Sequence, residues 1–278
     1  EVVVVDEAHI SVAKTYQRVL KWLGRSGKGA NRGILLGLTA TPFRNFNSTE
    51  TEQLAQIYAN NRLDDGAFGD EITPHEKLQA DGILAHVRQK TLDGASIEPT
   101  QKEQDDFKGL GGGVRVPSAL LERIGQDVDR NRRIVDDLSE LCIEHPDWPV
   151  LLFTTSVENA SVLAAQLTMR GIKAVAISGE TETSARRRYI EEFTNGDVQV
   201  IANHSILTQG FDAPKVRAIY VTRPCYSPNE YQQMIGRGLR GPRNGGSEEV
   251  LIVNMDDNIE NFGTQLAFNH FENLWKAK

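Results

Sequence analysis

The chain has 278 residues, 39% of them hydrophobic and 25% charged, with 24 Gly and 10 Pro. These near-average values exclude disordered, collagenous and coiled-coil classes and allow roughly two domains of about 150 residues each. Lys and Arg number 31 against 38 Asp and Glu, a net charge of −7, so the surface as a whole is no adhesive for polyanions.

No apolar run approaches the roughly 18 residues that cross a bilayer, and the N-terminus lacks the pattern of a signal peptide, so no membrane association is expected. Cys142 and Cys225 form no Cys-x-x-Cys pair, which argues against a disulfide framework or a cysteine zinc site and for an intracellular, reducing compartment.

Val2, Val3, Val4 and Val5 are a continuous β-branched run, the kind buried on both faces of a parallel sheet. A chain opening on such a strand, without an initiator Met, is expected to be a fragment whose preceding N-terminal part is missing. The spacing of Ile10, Ala13, Tyr16, Leu20 and Leu23 predicts a helix over 10–23, stopped by Gly24 and followed by a Gly-rich basic loop. A strand over 34–38, a helix over 50–59 and a strand over 83–91 complete what reads as half a domain.

Residues 93–117 turn polar and Gly-rich, the composition of a linker or insertion, and the domain boundary is placed there. Beyond it helices are expected over 127–144, 157–170, 183–194 and 229–235. They alternate with strands over 150–153, 173–177, 198–202, 216–221 and 249–253, which implies crossover connections and a parallel sheet. The aromatic stretch over 262–275 suits a C-terminal helix.

Four clusters carry candidate chemistry. Asp6-Glu7-Ala8-His9 puts adjacent carboxylates at the carboxyl end of a parallel strand, where ligands of open α/β sheets bind. Such a pair serves a magnesium ion and an attacking water, and equally serves to cap the next helix. Thr39-Ala40-Thr41-Pro42 ends the second strand at the same edge, and a capped turn before proline explains it as well.

Thr208-Gln209-Gly210-Phe211-Asp212 follows a third apolar strand, with Gly210 allowing close backbone approach to a phosphate. Gln233-Met234-Ile235-Gly236-Arg237-Gly238-Leu239-Arg240 ends a helix in two arginines three apart. Their planar forks suit phosphoryl oxygens, although basic residues also favour a helix C-terminus. Between 209 and 243 six basic residues face two acidic ones, so phosphate chemistry is sought there.

Taken in order, these clusters closely resemble motifs II, III, V and VI of superfamily 2 helicases, and over 211–214 and 234–240 most resemble the DEAH-type branch associated with DNA repair and restriction. Val150 to Phe153 looks like the motif IV strand. The resemblance implies tandem RecA-like α/β domains with parallel sheets: a partial first domain over 1–92, the linker over 93–117, a second domain over 118–262 and the helix over 263–278. It implies an ATP-dependent helicase or translocase acting on nucleic acid, DNA ahead of RNA, with ATP and Mg2+ as cofactors.

By the same resemblance Asp6 holds Mg2+, Glu7 activates water and His9 couples to Gln233. Thr39 and Thr41 link hydrolysis to nucleic-acid binding, Gly210 and Asp212 lie near the nucleotide, and Arg237 and Arg240 act as arginine fingers. Thr208 belongs to the nucleic-acid contacts, as does Asn203, which stands where a Thr is common and whose amide can donate to phosphate. No G-x-x-x-x-G-K-[ST] occurs in the 278 residues, so this chain alone is expected to be inactive in hydrolysis. A non-catalytic RecA-like module that binds nucleic acid or a protein partner is the competing reading.

Overall fold

A computed structural model describes residues 2–26, 33–42, 48–63, 74–95, 100–102, 116–204, 215–225 and 228–258. Thr208, Gly210, Asp212 and the helix expected over 262–275 lie outside them.

The described residues form two parallel sheets. In the first, β1 (Val2–Asp6) pairs with β2 (Ile34–Leu38) in a register that sets Asp6 opposite Leu38. A 3-10 turn at Ala8–Ile10 leads into α1 (Lys14–Trp22), so the helix expected from residue 10 begins four residues later. The reason is local: Glu7 adopts a left-handed conformation (φ 51°, ψ 47°) and Ala13 is extended, which breaks the continuity of helical backbone. After β2 comes α2 (Ser48–Ile57), whose Leu54 and Ala55 are buried with Val12.

The second sheet has six strands, preceded by α3 (Pro74–Ala80): β3 (His86–Leu92), β4 (Val150–Phe153), β5 (Ala174–Ile177), β6 (Val200–Asn203), β7 (Ala218–Val221) and β8 (Glu249–Met255). Their order is β3-β8-β7-β4-β6-β5 and every pairing is parallel. Here the expectation is corrected: β3, placed by sequence in the first unit, is the edge strand of the second sheet, paired with β8 from His86↔Glu249 to Leu92↔Met255. Its exposed, polar pattern suits an edge, and a partner more than 160 residues downstream leaves no local trace in the sequence.

Alternation along the central strands sorts side chains onto two faces. Leu151, Phe153, Ile201, Ile219 and Val221 face one way, under α7 (Thr183–Asn195) and α8 (Pro228–Ile235) through Phe193, Met234 and Ile235. Val150, Leu152, Val200, Ala218 and Tyr220 face the other, under α5 (Val128–Glu144) and α6 (Val157–Met169) through Ile134, Leu138, Leu163 and Leu167. Both faces being covered explains why these strands read as unbroken apolar runs. A short helix missed by the sequence pattern, α4 (Ser118–Gly125), precedes α5.

Strand order explains where loops converge. From β4 the chain travels through α6 to the outer β5, returns through α7 to β6, then passes to the other side of β4 for β7. The carboxyl ends of β4, β6 and β7 therefore flank a topological switch point, where open α/β sheets bind ligands.

Candidate functional site

At the carboxyl edge of the first sheet, the chain leaves β1 through Asp6, whose Oδ1 accepts the backbone N–H of Glu7 at 2.9 Å. Asp6 is exposed. The left-handed Glu7 then turns the chain sharply enough to bury His9, which is only 5% accessible.

Three oxygen atoms gather on the Nδ1 of His9: Thr39 Oγ1 at 3.1 Å, Glu7 Oε2 at 3.3 Å and Thr41 Oγ1 at 3.4 Å. A carboxylate only accepts, so Nδ1 carries the proton in this arrangement. Thr39 is itself fixed, because its Oγ1 accepts the Thr41 N–H at 3.1 Å and donates to the Thr41 carbonyl at 3.2 Å. The sequence puts the acidic pair and the two threonines at one edge, and the structure joins Glu7 and both threonines, but not Asp6, through a single ring nitrogen.

The carboxyl edge of the second sheet is polar and buried. Thr154 Oγ1 donates toward the Asn203 carbonyl (3.1 Å) and the Ser156 carbonyl (2.9 Å), while Thr222 Oγ1 donates to the Phe153 carbonyl at 2.9 Å. The Asn203 amide nitrogen reaches the Leu152 carbonyl at 3.3 Å. That donor is thus turned into the sheet, and among the described residues the buried Oδ1 of Asn203 has no hydrogen-bond partner. Thr155 Oγ1 and Asn159 Oδ1, also buried, are equally unmatched among the described residues. Thr154 and Thr155 were not singled out from sequence; a Thr-Thr-Ser run directly after an apolar strand and before a capped helix was the available signal.

Behind this edge lies a buried ion pair. Arg130, fully buried on α5, donates from Nη2 to the Thr222 carbonyl and to Asp257 Oδ2, the latter at 3.2 Å. Burial pulls the Arg130 guanidinium below its ordinary value and pushes the Asp257 carboxyl above its own, each opposed by the other's charge.

Gln233 is half-buried on α8, and Arg237, also half-buried, lies in the turn that ends it. Gly238 permits that turn to lie on the sheet, since a Cβ there would come within 2.7 Å of Val250 Cγ2 and 3.0 Å of Ile219 Cδ1. Arg240 bridges Leu84 in antiparallel fashion and accepts the Ser247 N–H at 3.1 Å, which places its backbone beside the starts of β3 and β8. Arg223, after β7, pairs with Glu230 on α8 at 2.9 Å and ties the strand end to this helix. Arg240 and Asn203 therefore lie at opposite ends of the second sheet, whereas Arg223 shares the carboxyl edge with Asn203.

Among the described residues no group of three or more His, Cys, Asp or Glu side chains is arranged to hold a metal ion. A magnesium ion needs less from protein, because it keeps waters and takes phosphate oxygens, with one or two carboxylates sufficing. The exposed Asp6 carboxylate fits that requirement. No helix among the described residues is long and apolar enough to cross a membrane.

Residues 133–241 match the helicase conserved C-terminal domain. Over 86% of its length the chain is 26% identical to the protein of Saccharomyces cerevisiae named "Putative ATP-dependent helicase IRC3", and over 93% it is 27% identical to that of Schizosaccharomyces pombe named "Putative mitochondrial ATP-dependent helicase irc3". It covers 32% and 38% of those proteins, so it spans about a third of their length. In structure it resembles S. cerevisiae Dbp5 bound to RNA and ADP BeF3, with a TM-score of 0.52 and 15% identity over 94% of this chain and 55% of that one. This likeness shows the RecA-like fold. Over residues 133–241 the chain is thus similar to the helicase conserved C-terminal domain, and over most of its length it is similar to proteins that carry helicase names.

Proposed function

We propose that the chain is the part of an ATP-dependent helicase or translocase that runs from the acidic motif to the arginine motif. The observation that carries this reading is the convergence of Glu7, Thr39 and Thr41 on His9 Nδ1. Through that nitrogen a change in the charge or position of Glu7 is felt by the loop after β2. Coupling between hydrolysis and track binding requires such a link.

In this reading Asp6 holds Mg2+, which when bound with nucleotide neutralises phosphate charge, and Glu7 orients the attacking water. Arg237 and Arg240 stabilise charge developing on the transferred phosphoryl group. Gln233 meets the His9 side of the site, while Gly210, Asp212, Thr208 and Asn203 serve nucleotide and track. DNA is the track, on the DEAH-type resemblance over 211–214 and 234–240, and RNA is the competitor. With no G-x-x-x-x-G-K-[ST] pattern in its 278 residues, the chain alone hydrolyses ATP poorly.

The test is steady-state ATP hydrolysis by a longer protein containing this chain, without nucleic acid and with single-stranded DNA, duplex DNA or RNA. Stimulation by one of them names the track. Glu7→Gln is expected to lower kcat by about 10²-fold or more, and Arg240→Ala by about 10³-fold, with nucleic-acid binding largely kept. A folded protein that hydrolyses nothing with any track overturns the motor and leaves a binding module.

A further inference from the structure

From residue 8 to residue 49 the chain contains seven Lys or Arg and no Asp or Glu, inside a molecule whose net charge is −7. Three of the seven, Lys14, Arg18 and Lys21, lie on α1 with spacings of four and three, which places them on one face of the helix. All three are exposed and, among the described residues, none of their side chains is in an ion pair or hydrogen bond. Elsewhere the exposed cations are commonly paired: Lys77 with Asp81, Arg132 with Asp129, Arg187 with Glu191 and Arg188 with Glu192.

The neighbouring strip of α1 is apolar. Trp22, four residues after Arg18, is 84% exposed, and Tyr16 and Val19 are exposed beside it. Leu20 is the buried anchor of the helix. Arg25, beyond the helix end, lies against Gly33 and is not part of the row.

We infer that this face of α1 is a nucleic-acid contact, with Lys14, Arg18 and Lys21 on consecutive phosphates and Trp22 against a base or sugar. The inference rests on the nucleic-acid reading above and adds a surface that none of the motifs includes. Spacing supports it: seven residues of helix rise about 10 Å, so the three cations fall within reach of two or three successive phosphates. Chemistry supports it as well, because an aromatic beside arginine and lysine offers stacking along with charge, the combination that holds single strands without reading sequence. An acidic protein segment or an anionic membrane would use the charge, but nine residues with one buried anchor give little apolar area to insert into lipid.

The experiment measures binding of the 278-residue chain to fluorescent single-stranded DNA, duplex DNA, single-stranded RNA and duplex RNA across a series of KCl concentrations. Phosphatidylserine vesicles and poly-glutamate serve as competing probes. The Lys14→Gln/Arg18→Gln/Lys21→Gln variant is expected to flatten the slope of log K against log salt by about 2 on single strands and close to 3 on duplex DNA. At 0.1 M salt it binds roughly a hundredfold more weakly, while Lys14→Arg/Lys21→Arg keeps the original slope. The single Arg18→Gln variant gives about a third of the change and covers a triple variant that fails to fold.

Unchanged affinity and slope in the triple variant overturn the inference and leave the helicase reading standing. A wild-type chain that binds none of the four oligonucleotides overturns the nucleic-acid reading itself. Loss confined to vesicles or poly-glutamate overturns the inference in favour of a lipid or an acidic protein.

Discussion

Gly37, in the middle of β2, has the ring of Tyr58 where a side chain would go: a Cβ there would lie 2.7 Å from the ring and 2.8 Å from the Ala8 methyl. The ring has little room to retreat, since the Tyr58 hydroxyl is held at 2.9 Å by Ser11 Oγ. Ala8 is the neighbour of both Glu7 and His9, so this contact sets the depth of the acidic turn. Gly37→Ala should therefore cost the first sheet about 1 to 3 kcal/mol, read as lower amide-exchange protection in β1 and β2. Unchanged protection there would show that the turn yields freely. Cys142 makes a second residue-scale test. Burial pushes its thiol up to about 12, so at pH 8 it is neutral as well as inaccessible. A disulfide reagent should leave it unmodified in the native chain and label it only after denaturant unfolds α5, and native labelling at a rate typical of free thiol would contradict its placement in the core.

At the scale of elements, α5 is tied to the ends of β7 and β8 by Arg130, and to the loop after β3 by Arg133, which donates to the carbonyls of Asp93 and Gly94 at 3.0 Å. Gly94 packs on Asp257 so closely that a Cβ would meet its Oδ1 at 2.7 Å, so the edge strand, α5 and the end of β8 close as one unit. Removing one charge strands the other in the interior. Arg130→Leu or Asp257→Leu alone should each cost about 3 to 5 kcal/mol, whereas Arg130→Leu/Asp257→Leu should cost clearly less than the sum. Additive losses in equilibrium unfolding would show that the two groups do not interact. The central strands and their helices were legible because residues such as Leu151 and Leu152 are apolar on both faces and the intervening helices are long. The short helices were not: Pro74–Ala80 is polar over most of its length, and Ser118–Gly125 is too brief for its period to emerge. The assignment of β3 failed for another reason, since strand pairing is a long-range property that its own residues do not encode. In the candidate site, sequence showed which residues share an edge, but the common contact on His9 Nδ1 depends on the left-handed Glu7, a conformation that no residue type there announces.

On the scale of the whole molecule, the two sheets hold very different amounts of apolar core. Around β1 and β2 the buried apolar residues described are Val5, Ala8, Val12, Leu20, Leu54 and Ala55, whereas Val2, Val4, Ile34 and Leu38 are exposed. Two paired strands with such limited cover are marginal on their own. The six-stranded sheet has a covered core on each face, and its central strands β4, β6 and β7 bury every residue. Opening of the first sheet therefore exposes little apolar surface and costs far less than opening of the second. Amide hydrogen exchange should show this directly: protection in β4, β6 and β7 approaching the global unfolding free energy, and protection in β1 and β2 lower by several kcal/mol. If the acidic motif is completed by further chain or by nucleotide, protection in β1 and β2 should rise on addition of that component while β4 stays unchanged. Equal protection in both sheets of the isolated chain would mean that the first sheet draws its stability from the second, and that the motif edges at Asp6 and Thr39 are already fixed before anything binds.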